Sequence, residues 1–132
     1  ATGLEDFENR QLDSLSGGQR QRAWIAMALT QDTDVLLLDE PTTYLDLAYQ
    51  IEILELLKDL NNKTKKTIVI VIHELNHAAR YAHNLVCMKN GNIYSQGEVD
   101  DVFNENMLRD VFGVDSIVIS DPITQRPMCI PK

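Results

Sequence analysis

Two adjacent carboxylates, Asp39 and Glu40, come directly after a short apolar run, Val35 to Leu38. A run of this length between polar flanks predicts a β-strand that is buried on both faces. Ligands of open α/β sheets bind at the carboxyl ends of such strands, so both acids are candidates for ligand chemistry. Because many apolar runs end in two acids, the alternative is an exposed strand end with solvated side chains.

A second candidate is the segment Ser16-Gly17-Gly18, which stands just before a predicted helix. A serine hydroxyl, the unpaired amides of a first helical turn and the helix dipole together can bind an anion. Two glycines would let a phosphate approach the backbone closely. The alternative is a plain helix cap that happens to contain glycine.

A third candidate is His73, which ends a β-branched run, Thr67 to Ile72, that reads as another buried strand. A histidine there can bind a ligand, or it can be a structural residue whose hydrogen bonds are satisfied. His77 and His83 match no motif, and we expect them on the surface or in packing contacts.

Alternating helices and strands must position these groups. Apolar spacing predicts a helix over 19–29, with Ser16 as a good N-cap. It predicts another that starts near Asp46, also a helix N-cap, and ends at Asn61-Asn62. A short amphipathic helix follows over 75–82. Because each strand is followed by a helix, the pattern implies an α/β fold with parallel strands and crossover connections.

The C-terminal part reads as hairpins and short helices. Asn90-Gly91 is a strong hairpin signal between 85–88 and 93–95, because both turn residues must tolerate positive φ. The pattern over 99–112 predicts one or two short helices. A terminal hairpin is predicted between two strands, 116–120 and 128–130, with its turn at Asp121-Pro122. A short helix is also predicted over residues 4–10.

Size and charge narrow the function classes. The 132 residues are one domain or part of one, and no apolar stretch approaches the about 18 residues that a membrane span needs. The net charge of −8 argues against non-specific nucleic-acid binding. Cys87 and Cys129 lack the spacing of a zinc site or a disulfide framework, which fits a reducing cytosol. Cys87 lies in an apolar run, and we expect it to be buried as a small apolar residue. The segment 1–10 has no signal-peptide core and no initiator Met, as expected of a chain cut from a longer one.

The motifs occur in an order that resembles the C-terminal half of an ATP-binding-cassette (ABC) transporter ATPase. The similarity is greatest to the ATPase subunits of iron-siderophore and cobalamin importers, and it rests on Leu15 to Leu29, Thr42 to Asp46 and His73 to Ala82. Glu74 stands where that group more often has Asp. No G-x-x-x-x-G-K-[ST] occurs in the 132 residues, so the loop that cradles the phosphates is missing from them.

The resemblance implies a P-loop NTPase-type fold, mainly a parallel sheet with helices, that lacks the phosphate-loop strand. It also implies ATP and Mg²⁺ as cofactors. Asp39 would hold Mg²⁺ through water, Glu40 would be the catalytic base, and His73 would contact the γ-phosphate and the attacking water. The residues implied for the ATP of the opposing subunit are Leu15, Ser16, Gly17, Gly18 and Gln19, with Asp46 in the loop that crosses to that subunit.

The resemblance further implies an ATP-hydrolysing importer subunit, powering uptake of iron(III)-siderophore complexes. Its partners would be a second copy of itself, integral membrane permease subunits and, indirectly, a substrate-binding protein, with no nucleic acid. It would lie at the cytoplasmic face of the membrane. Residues 1–132 would form half of one nucleotide-binding domain, with a signature helix region (1–31), the remainder of the ATPase core (32–97) and C-terminal helices and a hairpin (98–132). By themselves they would be inactive.

Two other classes compete with this interpretation. One is an ABC ATPase that acts on DNA or ribosomes, and the other is a non-catalytic module that keeps the fold. The acidic charge and the absence of a coiled-coil insertion or basic arm from these residues argue against the first.

Overall fold

The computed structural model describes residues 11–31 and 33–132, and of Leu12 only the backbone. The chain divides at Ile72 and His73 into two compact units, each described by itself below. Helices alternate with strands from α1 to β3, and helices and strands are mixed through the rest of the described residues, which confirms the predicted α/β class. The helix predicted over 4–10 lies outside the described residues.

In the described part of the first unit, two helices and two strands follow a 3-10 turn at Leu12–Ser14. Their bounds are α1 Gly17–Leu29, β1 Val35–Asp39, α2 Leu47–Thr64 and β2 Thr67–Val71. Helix α1 thus starts two residues before its predicted first residue. The two strands pair in parallel, with Val35 opposite Thr67 and Asp39 opposite Val71, as the strand–helix–strand pattern predicted.

The predicted end of α2 at Asn61-Asn62 is wrong, since the helix continues to Thr64. Lys65 ends it in the left-handed conformation with φ 59°, and its N–H donates to the carbonyl of Asn61. The Asn61 side chain donates to the carbonyl of Lys66 at 2.8 Å. The asparagine therefore stabilises the turn that follows the helix from a position inside it.

The two parallel strands are buried on one face only. Leu36, Leu38 and their partners Ile68 and Ile70 pack with side chains of α1 and α2 into one apolar cluster. Leu37 points to the other face and is 72% exposed. The expectation of burial on both faces is therefore wrong for β1 and for β2, because α1 and α2 cover the same face of the sheet.

The second unit is built from one helix, two antiparallel hairpins and two further short helices. The first hairpin turns at Asn90 and Gly91, with φ values of 51° and 76°, which confirms the predicted turn. The bounds are α3 Leu75–Tyr81, β3 Asn84–Lys89, β4 Asn92–Glu98, α4 Val99–Val102, α5 Glu105–Phe112, β5 Ser116–Ser120 and β6 Pro127–Pro131.

The core of the second unit forms around Ala79, Phe103 and Leu108, which are 0–3% exposed. Cys87 and Cys129 belong to the same cluster as free thiols, so the predicted burial of Cys87 is confirmed. Burial raises the pKa of both thiols. In the part of the chain that the structure describes, no helix is long and apolar enough to cross a membrane.

The uncovered sheet face generates a first prediction. Val35, Leu37, Val69 and Val71 are each 47–72% exposed, and adjacent apolar side chains on a sheet face favour association. We expect the 132-residue polypeptide to self-associate, and Leu37→Lys to weaken this association by placing a charge in the face. Light scattering over a concentration series measures it.

The control is Asn62→Lys, which adds the same charge on α2, away from the sheet. Equal scattering by the two lysine variants, or a monodisperse monomer without either substitution, would contradict the prediction.

Candidate functional site

Asp39 and Glu40 lie at the carboxyl edge of the parallel strand pair. Asp39 is the last residue of β1 and is paired with Val71, and its side chain is exposed. The N–H of Glu40 donates to the carbonyl of Val71 at 3.1 Å, just beyond the ladder. Glu40 has a φ of 47°, in the left-handed region that non-glycine residues rarely adopt. The chain therefore turns sharply at Glu40.

The Glu40 side chain is held by the turn that follows it. Thr43 Oγ1 donates to Glu40 Oε2 at 2.9 Å, and the Thr43 N–H donates to the Glu40 carbonyl at 3.2 Å. Pro41 and Thr42 between them are buried, while Glu40 and Thr43 are half-buried. The carboxylate of Glu40 is thus oriented by its own loop, whereas that of Asp39 faces solvent. Sequence reasoning did not single out Thr43.

The loop from Thr42 to Asp46 leads into α2. Leu45 N–H donates to the Thr42 carbonyl at 3.3 Å, and Asp46 Oδ1 accepts from the N–H of Tyr49 at 3.1 Å. Asp46 therefore caps α2, the structural role that its position before the helix predicted. Tyr44, with φ 65°, projects from the loop with a fully exposed side chain.

Ser16 caps α1 in a reciprocal capping box. Its Oγ accepts from Gln19 N–H at 3.3 Å, and Gln19 Oε1 accepts from Ser16 N–H at 3.0 Å. The hydroxyl retains its own proton for an anion. The N–H groups of Gly17 and Gly18 precede the first intrahelical bond, and the first turn contains no acidic side chain. This geometry suits an anion at the start of the helix. Buried Leu15 anchors the chain just before the cap.

Gly18 also has a packing role that the sequence did not reveal. A Cβ at this position would lie 2.6 Å from the ring of Tyr49, whereas at Gly17 it would lie 3.5 Å from Leu45. A side chain at residue 18 would therefore force the Tyr49 ring to move. The start of α1 thus adjoins the segment that leads from Asp46 into α2.

His73 is the first residue of the second unit, and its side chain is exposed. Helix α3 begins two residues later and is anchored to the terminal hairpin by Asn76. Its Nδ2 donates to the Cys129 carbonyl at 3.1 Å, and its Oδ1 accepts from Cys129 N–H at 2.8 Å. A lone asparagine carries no spacing signal, so this anchor could not be read from the sequence.

Two further contacts tie the same helix to the terminal hairpin. Arg80 Nη1 lies 3.8 Å from Asp121 Oδ2, and the Arg126 guanidinium donates to the carbonyl of Ala82. The N–H groups of Ile123 and Thr124 hold the pKa of the Asp121 carboxyl below its usual range, and Arg80 adds to this effect.

The other two histidines are placed as their lack of motif suggested. His77 is half-buried and meets the ring of Tyr81 edge-on, with 6.3 Å between centroids. His83 is exposed.

The acidic edge fits Mg²⁺ that is bound together with a nucleotide. Among the described residues there is no cluster of three or more His, Cys, Asp or Glu side chains able to hold a metal ion alone. Mg²⁺ is typically held by one or two carboxylates plus waters and substrate phosphates, and exposed Asp39 can supply such a carboxylate.

A family model described as ABC transporter matches residues 1–43. YusV of Bacillus subtilis, assigned as the ATP-binding protein of a siderophore transport system, is 56% identical over 131 residues, which are 99% of this chain and 48% of YusV. The chain spans about half the length of the curated relatives it matches.

Solved structures agree with this match. An inward-facing ABC transporter assigned to the metal-chelate type has a TM-score of 0.85 and 28% identity, over 99% of this chain and 53% of that chain. A dimeric ATP-binding cassette with ADP and Pi bound, MJ0796, has a TM-score of 0.62 and 38% identity, over 72% of this chain and 40% of that one. The chain belongs to the ABC transporter ATPase family and has its P-loop NTPase fold.

The contact between Gly18 and Tyr49 generates the second prediction. Gly18→Ala should lower the free energy of unfolding by about 1 kcal/mol, because the collision outweighs the gain in helix propensity. Gly17→Ala is the matched control, since its methyl group fits, and it should leave stability equal or higher. Urea unfolding at low protein concentration measures both.

Adding Tyr49→Ala should remove most of the penalty of Gly18→Ala, because the ring that collides is gone. Additive losses in the double variant would show that the ring is not the cause.

Proposed function

We propose that these residues form the C-terminal half of the ATP-hydrolysing subunit of an ABC importer that takes up iron(III)-siderophore complexes. The observation that carries the proposal is the 56% identity to a siderophore-system ATP-binding protein across 99% of the chain. The likeness to a metal-chelate type transporter supports the same substrate class. Within a single nucleotide-binding domain, residues 1–31 would be the signature helix region, 32–97 the rest of the ATPase core and 98–132 the C-terminal helices and hairpin.

In the full-length protein, meaning the ATPase of which these residues would be half, Glu40 is the general base. Its carboxylate accepts a proton from the attacking water, and the turn at Thr43 orients it. Asp39 would hold Mg²⁺ through water, and a bound ion there would neutralise charge on the phosphates. His73 contacts the γ-phosphate and the attacking water.

The helix start at Ser16 acts on the ATP of the opposing subunit. Its cap geometry supports this role, because Gly17 and Gly18 present amides to an anion and no acid stands in the first turn. Leu15, which is buried, and Gln19, which accepts from Ser16 N–H, hold this loop, and the Asp46 segment packed beside it crosses to the same subunit. The dimeric ATP-binding cassette with ADP and Pi supports such a pair of subunits.

The remaining partners follow from the import role. The dimer would bind integral membrane permease subunits at the cytoplasmic face of the membrane and act on a substrate-binding protein indirectly. The net charge of −8 argues against a nucleic-acid partner.

Replacing the base generates the third prediction. In the full-length protein, Glu40→Gln should keep ATP binding, trap an ATP-bound dimer and lower turnover by about 10²–10⁴-fold, the usual contribution of general base catalysis. Steady-state ATPase assays and gel filtration with ATP measure these effects.

Glu55→Gln makes the same chemical change at a solvent-exposed ion pair on α2 and should leave turnover unchanged. The 132-residue chain alone should show neither turnover nor tight MgATP binding by calorimetry, because it contains no phosphate loop. Near-normal turnover of Glu40→Gln would show that Glu40 is not the general base. Micromolar MgATP binding by the 132-residue chain would show that ATP binding does not depend on the phosphate loop.

The contact across the dimer generates the fourth prediction. Ser16→Asp keeps a good helix cap but places a negative charge against the phosphate, while Ser16→Asn keeps the cap without charge. Each ATP site would combine Glu40 of one subunit with Ser16 of the other. In mixed dimers with Ser16→Asp in one subunit and Glu40→Gln in the other, both changes fall in the same site. The second site stays intact, so turnover should remain measurable. Both substitutions in the same subunit should abolish it.

The same mixed dimers with Ser16→Asn are the control, and they should show a smaller loss than those with Ser16→Asp when both changes are in one subunit. The reverse pattern, with turnover surviving when both changes share a subunit, would show that Ser16 serves the ATP site of its own subunit.

A further inference from the structure

We propose that Thr43 is a positioning residue, which holds the Glu40 carboxylate in the orientation needed to accept a proton from the attacking water. The inference rests on the proposed function, in which Glu40 is the base. It assigns the reaction a further residue, one that acts through Glu40 and not on the nucleotide.

The direct observation is the hydrogen bond from Thr43 Oγ1 to Glu40 Oε2, at 2.9 Å. A hydrogen bond to an ionised carboxylate is stronger than one between neutral groups. The bond occupies one of the acceptor positions of the carboxylate. The donor is itself restricted, because a β-branched side chain has few accessible χ1 rotamers.

The backbone around this bond is already fixed. Glu40 N–H is bonded to the carbonyl of Val71, and the Glu40 carbonyl accepts from Thr43 N–H. Pro41 and Thr42 are buried between the two residues. Because the Cα of Glu40 is held in place, its side-chain torsions decide where the carboxylate points, and the Thr43 hydroxyl restrains them at the reacting end.

Within this turn, Glu40 would accept the proton and Thr43 would only orient Glu40. A misplaced general base lowers the rate of the chemical step without changing how ATP is bound. Removal of the Thr43 hydroxyl should therefore lower kcat and leave KM for ATP unchanged. A residue that only stabilised the loop would change stability and binding together.

The test uses Thr43→Val in the full-length protein, since valine has nearly the same shape without the donor. We expect kcat to fall about tenfold, with KM for ATP and formation of the ATP-bound dimer unchanged. Thr43→Ser keeps the hydroxyl and should restore most of kcat. Thr43→Ala should match Thr43→Val, so the result does not depend on one variant folding well.

Thr30→Val is the matched control, because it removes a hydroxyl that bonds a backbone carbonyl at the end of α1. Thr30→Val should lower the free energy of unfolding about as much as Thr43→Val does, and it should leave kcat unchanged. In a double variant with Glu40→Gln, Thr43→Val should cause no further loss, since its effect passes through Glu40.

Failure of this proposal is distinguishable from failure of the proposed function. If Glu40→Gln abolishes turnover while Thr43→Val behaves like Thr30→Val, Thr43 has no positioning role. A raised KM or a lost ATP-bound dimer in Thr43→Val and Thr43→Ala also overturns it, as does a further loss in the double variant. If Glu40→Gln keeps normal turnover, the base assignment itself is wrong.

Discussion

The parallel pairing of β1 and β2 is the constraint on which the site depends. The register from Val35 opposite Thr67 to Asp39 opposite Val71 brings the carboxyl ends of both strands to the same edge. One more hydrogen bond, from Glu40 N–H to the Val71 carbonyl, extends this order past the end of the strand. The strained turn at Glu40 is stable because both of its flanks are held. An acid that followed an unpaired strand would have no such frame.

Helix packing on one face of the strands makes that pairing stable. Alternate residues of β1 and β2 pack against α1 and α2, so the apolar cluster fixes which way each strand faces. A slip of one residue would place Leu37 in the core and Leu36 in solvent, and Asp39 would no longer end the ladder. Core packing and the position of the acidic edge are therefore set by the same register.

Local signals in the sequence predicted local structure well. Ser16 and Asp46 cap helices, and Asn90-Gly91 turns a hairpin, because each of these effects spans a few residues. The contacts that could not be predicted join distant positions, such as Gly18 with Tyr49 and Asn76 with Cys129. The exposed face of the strands was missed for a related reason. An apolar run shows that a strand can be covered on both faces, but not which elements are there to cover it.

The loop after β1 joins the two halves of the proposed mechanism. At one end Thr43 Oγ1 donates to the carboxylate of Glu40, which we propose as the base for the ATP of its own subunit. At the other end Asp46 caps α2, whose Tyr49 packs against Gly18 at the start of α1. Gly18 belongs to the loop that we propose contacts the opposing subunit's ATP, so hydrogen bonds and packing within one short segment hold both proposed groups. The segment from Glu40 to Tyr49 therefore fixes the proposed base and supports the proposed contact with the opposing subunit at the same time.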